Sequence, residues 1–159
     1  MSDANAQLIV RFYEAFGRRD GDAMAACYTP DARFSDPVFT DLRGPEVGGM
    51  WRMLTSRTDD LEIDLVEHEA GEERGSAHWI ARYTFTQTGR PVVNDVRGRF
   101  GFADGLIATH SDDFDFHRWS RQALGTSGLL LGWTPVLRAA VRRRARAGLD
   151  EFLAGESAT

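Results

Sequence analysis

His110 and Asp112 stand two residues apart in Ile107-Ala108-Thr109-His110-Ser111-Asp112, a run whose alternation predicts a strand. Side chains two apart on a strand share a face. An imidazole and a carboxylate so placed can orient each other and tune proton transfer near neutral pH. The same pair at a strand end, in a stretch that also holds Asp113 and Asp115, can equally be solvated. A third group, Asp36, lies in Phe34-Ser35-Asp36-Pro37-Val38. Aspartate before proline suits the cap of a turn. A carboxylate beside an apolar wall is also a general base, because the wall raises its proton affinity. The residues alone leave both uses open.

The chain has 159 residues, enough for one domain with a core that needs neither metal nor disulfide. Its 42% hydrophobic and 27% charged content is that of an ordinary globular protein. A net charge of -5 argues against a nucleic-acid partner. All 19 basic residues are arginine, a bias that fits a GC-rich bacterial genome. The single cysteine, Cys27, excludes an intrachain disulfide and a cysteine-based zinc site, and its apolar helical setting reads as a small buried hydrophobe. The first residues lack the basic segment and apolar run of a signal peptide, and no run approaches ~18 apolar residues. A cytoplasmic location is the expectation.

Such groups need elements to hold them. Leu8, Phe12, Ala15 and Phe16 share a face of a first helix from about Asp3, its expected N-cap, to Arg18. A short helix from Asp22 to Cys27 follows, then a turn at Thr29-Pro30-Asp31 and a short strand from Ala32 to Ser35. Pro45 opens a third helix, with Trp51 and Leu54 on its apolar side. Period-two alternation then predicts four strands. Leu61, Ile63 and Leu65 share a face of the first. Trp79, Ala81, Tyr83 and Phe85 share a face of the second. Val92 to Phe102 and Leu106 to Phe116 follow, joined at Ala103-Asp104-Gly105. Helices first and strands later predict α+β architecture. From Arg118 a tail begins, with a loop at Gly125–Gly128 and a helix from Pro135 to about Leu153. Its Leu137, Val141 and Phe152 face one way and its arginines another.

In this order, the helices, TPDARFSDPV, the GPE helix start, HWIARYTFTQTGRPVV and RFGFADGLIATHSDDFD resemble the nuclear transport factor 2-like superfamily. Within it the chain looks most like SnoaL-like polyketide cyclases and ketosteroid isomerase-like proteins, over about residues 5 to 117. The resemblance implies a cone: three N-terminal helices packed on a curved, mixed, mostly antiparallel sheet. Residues 1–117 would form this domain, with 118–159 a helical extension packed on it or on a second protomer. It also implies that Asp36 matches the general base of ketosteroid isomerases. His110 and Asp112 match a His and an Asp of the cyclases, where the carboxylate acts as acid and base in an aldol-type ring closure.

Where ketosteroid isomerases carry a tyrosine and a protonated aspartate as donors to the enolate oxygen, this chain has Phe12 and Gly98. Tyr13 is adjacent, but one helical residue is about 100° of rotation. Steroid isomerisation is therefore not expected. A cofactor-free isomerase or cyclase is, acting on a small hydrophobic carbonyl compound. Its catalytic residues would be Asp36, His110 and Asp112, and its pocket Phe12, Phe16, Tyr28, Trp51, Trp79, Tyr83, Asn94, Val96 and Phe100. Each aromatic is equally a core residue, since core and pocket wall merge in such a cone. The alternative is a non-catalytic ligand-binding or interaction domain. No metal or nucleotide cofactor is expected. A homodimer is expected, and the run Arg142-Arg143-Arg144 reads as a solvated helix face without membrane contact.

Overall fold

The computed structural model describes residues 2–158. α1 (Asp3–Gly17) is capped by Ser2, not Asp3: the Ser2 hydroxyl accepts from the Asn5 N–H at 3.3 Å. Asp3 instead occupies the first turn, where its charge meets the positive end of the helix. α1 buries Leu8, Ile9, Phe12, Tyr13, Ala15 and Phe16, a stripe broader than the predicted one. α2 (Gly21–Ala25) is capped by Asp20, and α3 (Pro45–Ser56) starts at its proline.

Six strands form one sheet in the order β2-β1-β6-β5-β4-β3. β1 (Tyr28–Ser35) lies parallel to β6 (Leu106–Asp113); every other pairing is antiparallel. These are β2 (Leu42–Arg43), β3 (Glu62–Ala70), β4 (Arg74–Phe85) and β5 (Arg90–Ala103). β1 runs through Thr29-Pro30-Asp31, the predicted turn. Its register on β6 shifts between Tyr28 and Arg33, an irregular stretch that accommodates a proline with no N–H for the ladder. Further shifts fall at Leu65/Glu67 and Gly101/Phe102. Such bulges bend strands and let a sheet wrap. The inner face carries the core, with α1 and α3 against it.

The tail holds three helices where the sequence predicts one. β6 ends at Asp113, short of the predicted Phe116, because Asp115 caps α4 (Phe116–Leu124) by accepting from the Arg118 N–H at 3.0 Å. Gly125, at φ +68°, turns the chain from α4 into α5 (Thr126–Leu131), so the predicted loop shrinks and Gly128 lies inside a helix. α6 (Pro135–Ser157) crosses α3. Leu149 is fully buried, and Leu153 occupies the space a side chain at Gly49 would fill. Arg52 grips Glu156 through two nitrogens, at 2.7 and 2.8 Å, and Arg146 pairs with Glu46. Arg142 Nε donates to the Pro37 carbonyl at 3.0 Å. α4 and α6 therefore lie over the end of the interior where the Asp36–Phe39 loop meets Tyr83, whose hydroxyl accepts from Trp119 Nε1 at 2.9 Å. Among the described residues no helix is long and apolar enough to cross a membrane.

Candidate functional site

β6 turns His110 and Asp112 inward together. Nε2 of His110 lies 2.8 Å from Asp112 Oδ1, and the two side chains are 0% and 3% exposed. The solvated strand-end reading is thereby excluded. Tyr28, from the start of β1, sets its hydroxyl 2.7 Å from His110 Nδ1 and accepts from Trp51 Nε1 of α3 at 2.8 Å. The direction of this chain follows from its ends. The Trp51 indole is a donor only, so the Tyr28 oxygen accepts and its one hydrogen goes to Nδ1. Nδ1 then accepts, Nε2 carries the ring proton, and that proton is donated to Asp112. Burial first, and the nearby Asp112 charge second, raise the Tyr28 hydroxyl well above the usual tyrosine range and keep it protonated. With Oδ1 committed to His110, Asp112 Oδ2 is the oxygen left to take a proton.

Tyr13, one helical residue beyond Phe12, is also buried against the interior. Its hydroxyl is buried without a hydrogen-bond partner. The position a Gly98 Cβ would occupy lies 3.3 Å from this hydroxyl and 2.9 Å from Asp112 Oδ1. Phe12 and Tyr13 both enter the interior because the sheet wraps α1 over more than one helical face. The ring of Tyr13 stands edge-on to Phe12 at 5.0 Å. Burial, then the Asp112 charge, push its hydroxyl well above the usual range, so it is a neutral donor. The indole N–H of Trp79 is likewise buried and unpartnered. Ile9, Tyr13 and Phe16 at helical spacing were the sequence signal for this second face.

Asp36 is both turn cap and titrating group. Its Oδ1 accepts from the N–H groups of Val38 at 2.7 Å and Phe39 at 2.6 Å. The residue is half-buried, but its carboxyl group is enclosed by protein, and this burial lifts its pKa to about 7. The Asp112 charge pushes the same way, against the two backbone N–H groups and Arg142. Since Oδ1 is taken, the proton belongs on Oδ2. The folded state thus keeps a proton that the unfolded chain loses near its ordinary value of 3.8. Stability is expected to fall as pH rises from about 4 to about 7 and to level off above. Asp36→Asn keeps the Oδ1 acceptor and removes the titration. Its melting temperature should therefore vary less over this window and exceed the parent's above neutrality; parallel curves from scanning calorimetry would contradict the assignment.

The remaining predicted lining residues do share the inner face. Phe12 contacts Tyr28, Trp51 and His110 at ring separations of 5.5 to 5.7 Å, Phe16 contacts Trp51 and Trp79, and Phe100 lies 4.3 Å from the His110 ring. Val96 is buried beside Trp79, its cross-strand partner, while Asn94 and Tyr83 are half-buried. The Phe12 and Phe16 rings meet their neighbours edge-on, Phe100 lies tilted on His110, and together they fill much of the interior. A cleft of about 900 Å³ lies across the other face of the sheet, walled by Arg33, Ser35, Ser76, Arg99, Thr109 and Ser111. It does not hold Asp112, whose side chain points away from it. No group of three or more His, Cys, Asp or Glu among the described residues is placed to hold a metal ion.

A family model of the SnoaL-like domain matches residues 9–110, from the middle of α1 to His110. The chain belongs to the SnoaL-like domain family. Solved structures share the fold at low identity. An NTF2-like protein of unknown function from Burkholderia pseudomallei is 24% identical with a TM-score of 0.66, covering 77% of this chain and 98% of its own. An LEH-like epoxide hydrolase of M. tuberculosis is 20% identical at 0.65, covering 80% and 96%. A candidate polyketide cyclase from Silicibacter is 19% identical at 0.64, covering 76% and 95%. No curated protein matches the chain. The SnoaL-like match ends before α4, so the three tail helices lie outside it.

Proposed function

We propose that this SnoaL-like protein is a cofactor-free isomerase or cyclase that moves protons on a small hydrophobic carbonyl compound. The observation that carries the reading is the buried Asp112 carboxylate, held by the chain Trp51–Tyr28–His110 and set close to the unpartnered Tyr13 hydroxyl beside Gly98. A carbonyl compound that reached these two groups as the interior rings moved apart would lose a proton from the carbon beside its carbonyl. The C–H bond breaks, its proton goes to Asp112 Oδ2, and the electron pair forms an enolate. Tyr13 donates to the enolate oxygen, a charge that a fixed donor in a dry site stabilises strongly. Return of the proton to another carbon isomerises the compound. Attack of the enolate carbon on a second carbonyl closes a ring, and the new alkoxide takes a proton. Asp36 supplies it, since a carboxyl with a pKa about 7 is both acid and base at neutral pH. Access would require α4 and α6 to yield, because both cover the end of the interior beside Asp36.

The experiment is exchange of carbon-bound hydrogen for deuterium in apolar diketones, followed by proton NMR in heavy water. Protein-dependent exchange supports the reading. A diketone that stabilises the fold but never exchanges would favour a second one, a binder without catalysis. The mutual packing of the interior rings favours that alternative. A homodimer and a cytoplasmic setting complete the proposal, the polar sheet face being the surface for a second copy.

A further inference from the structure

Residues 118–149 contain seven arginines and no acid, in a chain whose net charge is -5. The basic charge is therefore concentrated on the tail. The same stretch exposes large apolar side chains: Leu129, Leu130 and Leu131 are 54%, 62% and 51% exposed, Trp133 68% and Val136 79%. The cause is local. α5 is seated by Gly128, which lies so close to the Ser120 backbone that no side chain fits between, and this seating turns the three leucines outward. The indole N–H of Trp133 donates to the Leu130 carbonyl at 3.1 Å, so its ring can leave water without stranding a donor. Arg118 and Arg121, with Arg90, line a cleft at the foot of Leu129. Arg118, Arg121, Arg143 and Arg144 are exposed and form no ion pair among the described residues. The arginines that do hold α6 in place, Arg142 and Arg146, are separate from these.

We infer that the α5 knob and the arginines at its foot dock this protein on an anionic phospholipid surface, with Leu129–Leu131 and Trp133 entering the headgroup layer. Protruding apolar side chains beside the uncompensated Arg118 and Arg121 match a negatively charged lipid interface. A folded partner would have to offer a groove for the knob and acids for the arginines at its foot. The excess negative charge of the rest of the chain turns the remaining surface away from such a membrane, so the charge separation also sets the orientation. The proposal is independent of the reaction proposed above.

The test is co-sedimentation of the full chain with vesicles of phosphatidylcholine alone and of phosphatidylcholine mixed with phosphatidylglycerol. Binding to the mixed vesicles should be at least about ten-fold tighter and should weaken as salt is added. The double variant Leu130→Glu, Trp133→Glu changes exposed side chains only. It should keep the parent circular dichroism and melting temperature and lose at least about ten-fold in vesicle binding. Absence of binding to mixed vesicles, equal binding to both kinds, or an unaffected double variant would each overturn the proposal. So would sedimentation velocity showing a dimer that the double variant abolishes in the absence of vesicle binding, which would give the knob to a second copy.

Discussion

Asp112→Asn is expected to lower protein-dependent proton exchange on the order of 10³-fold while leaving the melting temperature within a few degrees of the parent. The substitution is nearly isosteric. Asparagine Oδ1 can still accept from His110 Nε2, so the chain through Tyr28 and Trp51 stays satisfied. Only the lone pair that takes the proton is replaced, by an amide that is not a base at neutral pH. The Tyr13 hydroxyl also remains, so ligand binding should change little and the loss should fall on turnover. Exchange rates of the two proteins on one diketone, with calorimetry as the fold control, decide the matter. A variant that exchanges as fast as the parent would remove Asp112 from the reaction.

Phe12→Ala should have the largest effect on stability. Phe12 is 0% exposed, and its ring meets Tyr13, Tyr28, Trp51 and His110 edge-on at 5.0 to 5.7 Å. Those four rings come from α1, β1, α3 and β6, so one side chain ties the helices to the parallel pair of strands. Its removal opens a cavity that a wrapped sheet cannot collapse to fill. The expected loss is about 3–5 kcal/mol, or a melting temperature lower on the order of 10 °C for a chain of this size. Urea unfolding measures the first and calorimetry the second. A cost below about 1 kcal/mol would mean that the ring is not part of a packed interior.

Much of this arrangement was legible from local pattern. Period-two alternation assigned Trp79, Ala81 and Tyr83 to one face, and the same rule brought His110 and Asp112 together before any contact was known. Pro45 marked the start of α3 because proline suits a first helical position. What stayed hidden depends on distant contacts. Tyr28 reaches His110 across 82 residues, and the proline two residues after Tyr28 reads as a turn although β1 absorbs it as an irregularity. Helical rotation places Tyr13 away from a flat partner, but not away from a sheet that curls around α1. β2 has two residues and α5 has six, too few for any period to show. Asp36 caps the loop through one carboxylate oxygen, as an aspartate before proline suits, while the other oxygen remains for the proton.

Asp112 stands at the end of a hydrogen-bonded chain of fixed direction inside the protein. Nitrogen-15 NMR of the His110 ring at neutral pH reads that direction at its middle link. A single neutral tautomer, with the proton on Nε2 and Nδ1 accepting, is the expected result. A proton on Nδ1, or a ring averaging between tautomers as a solvated histidine does, would contradict it.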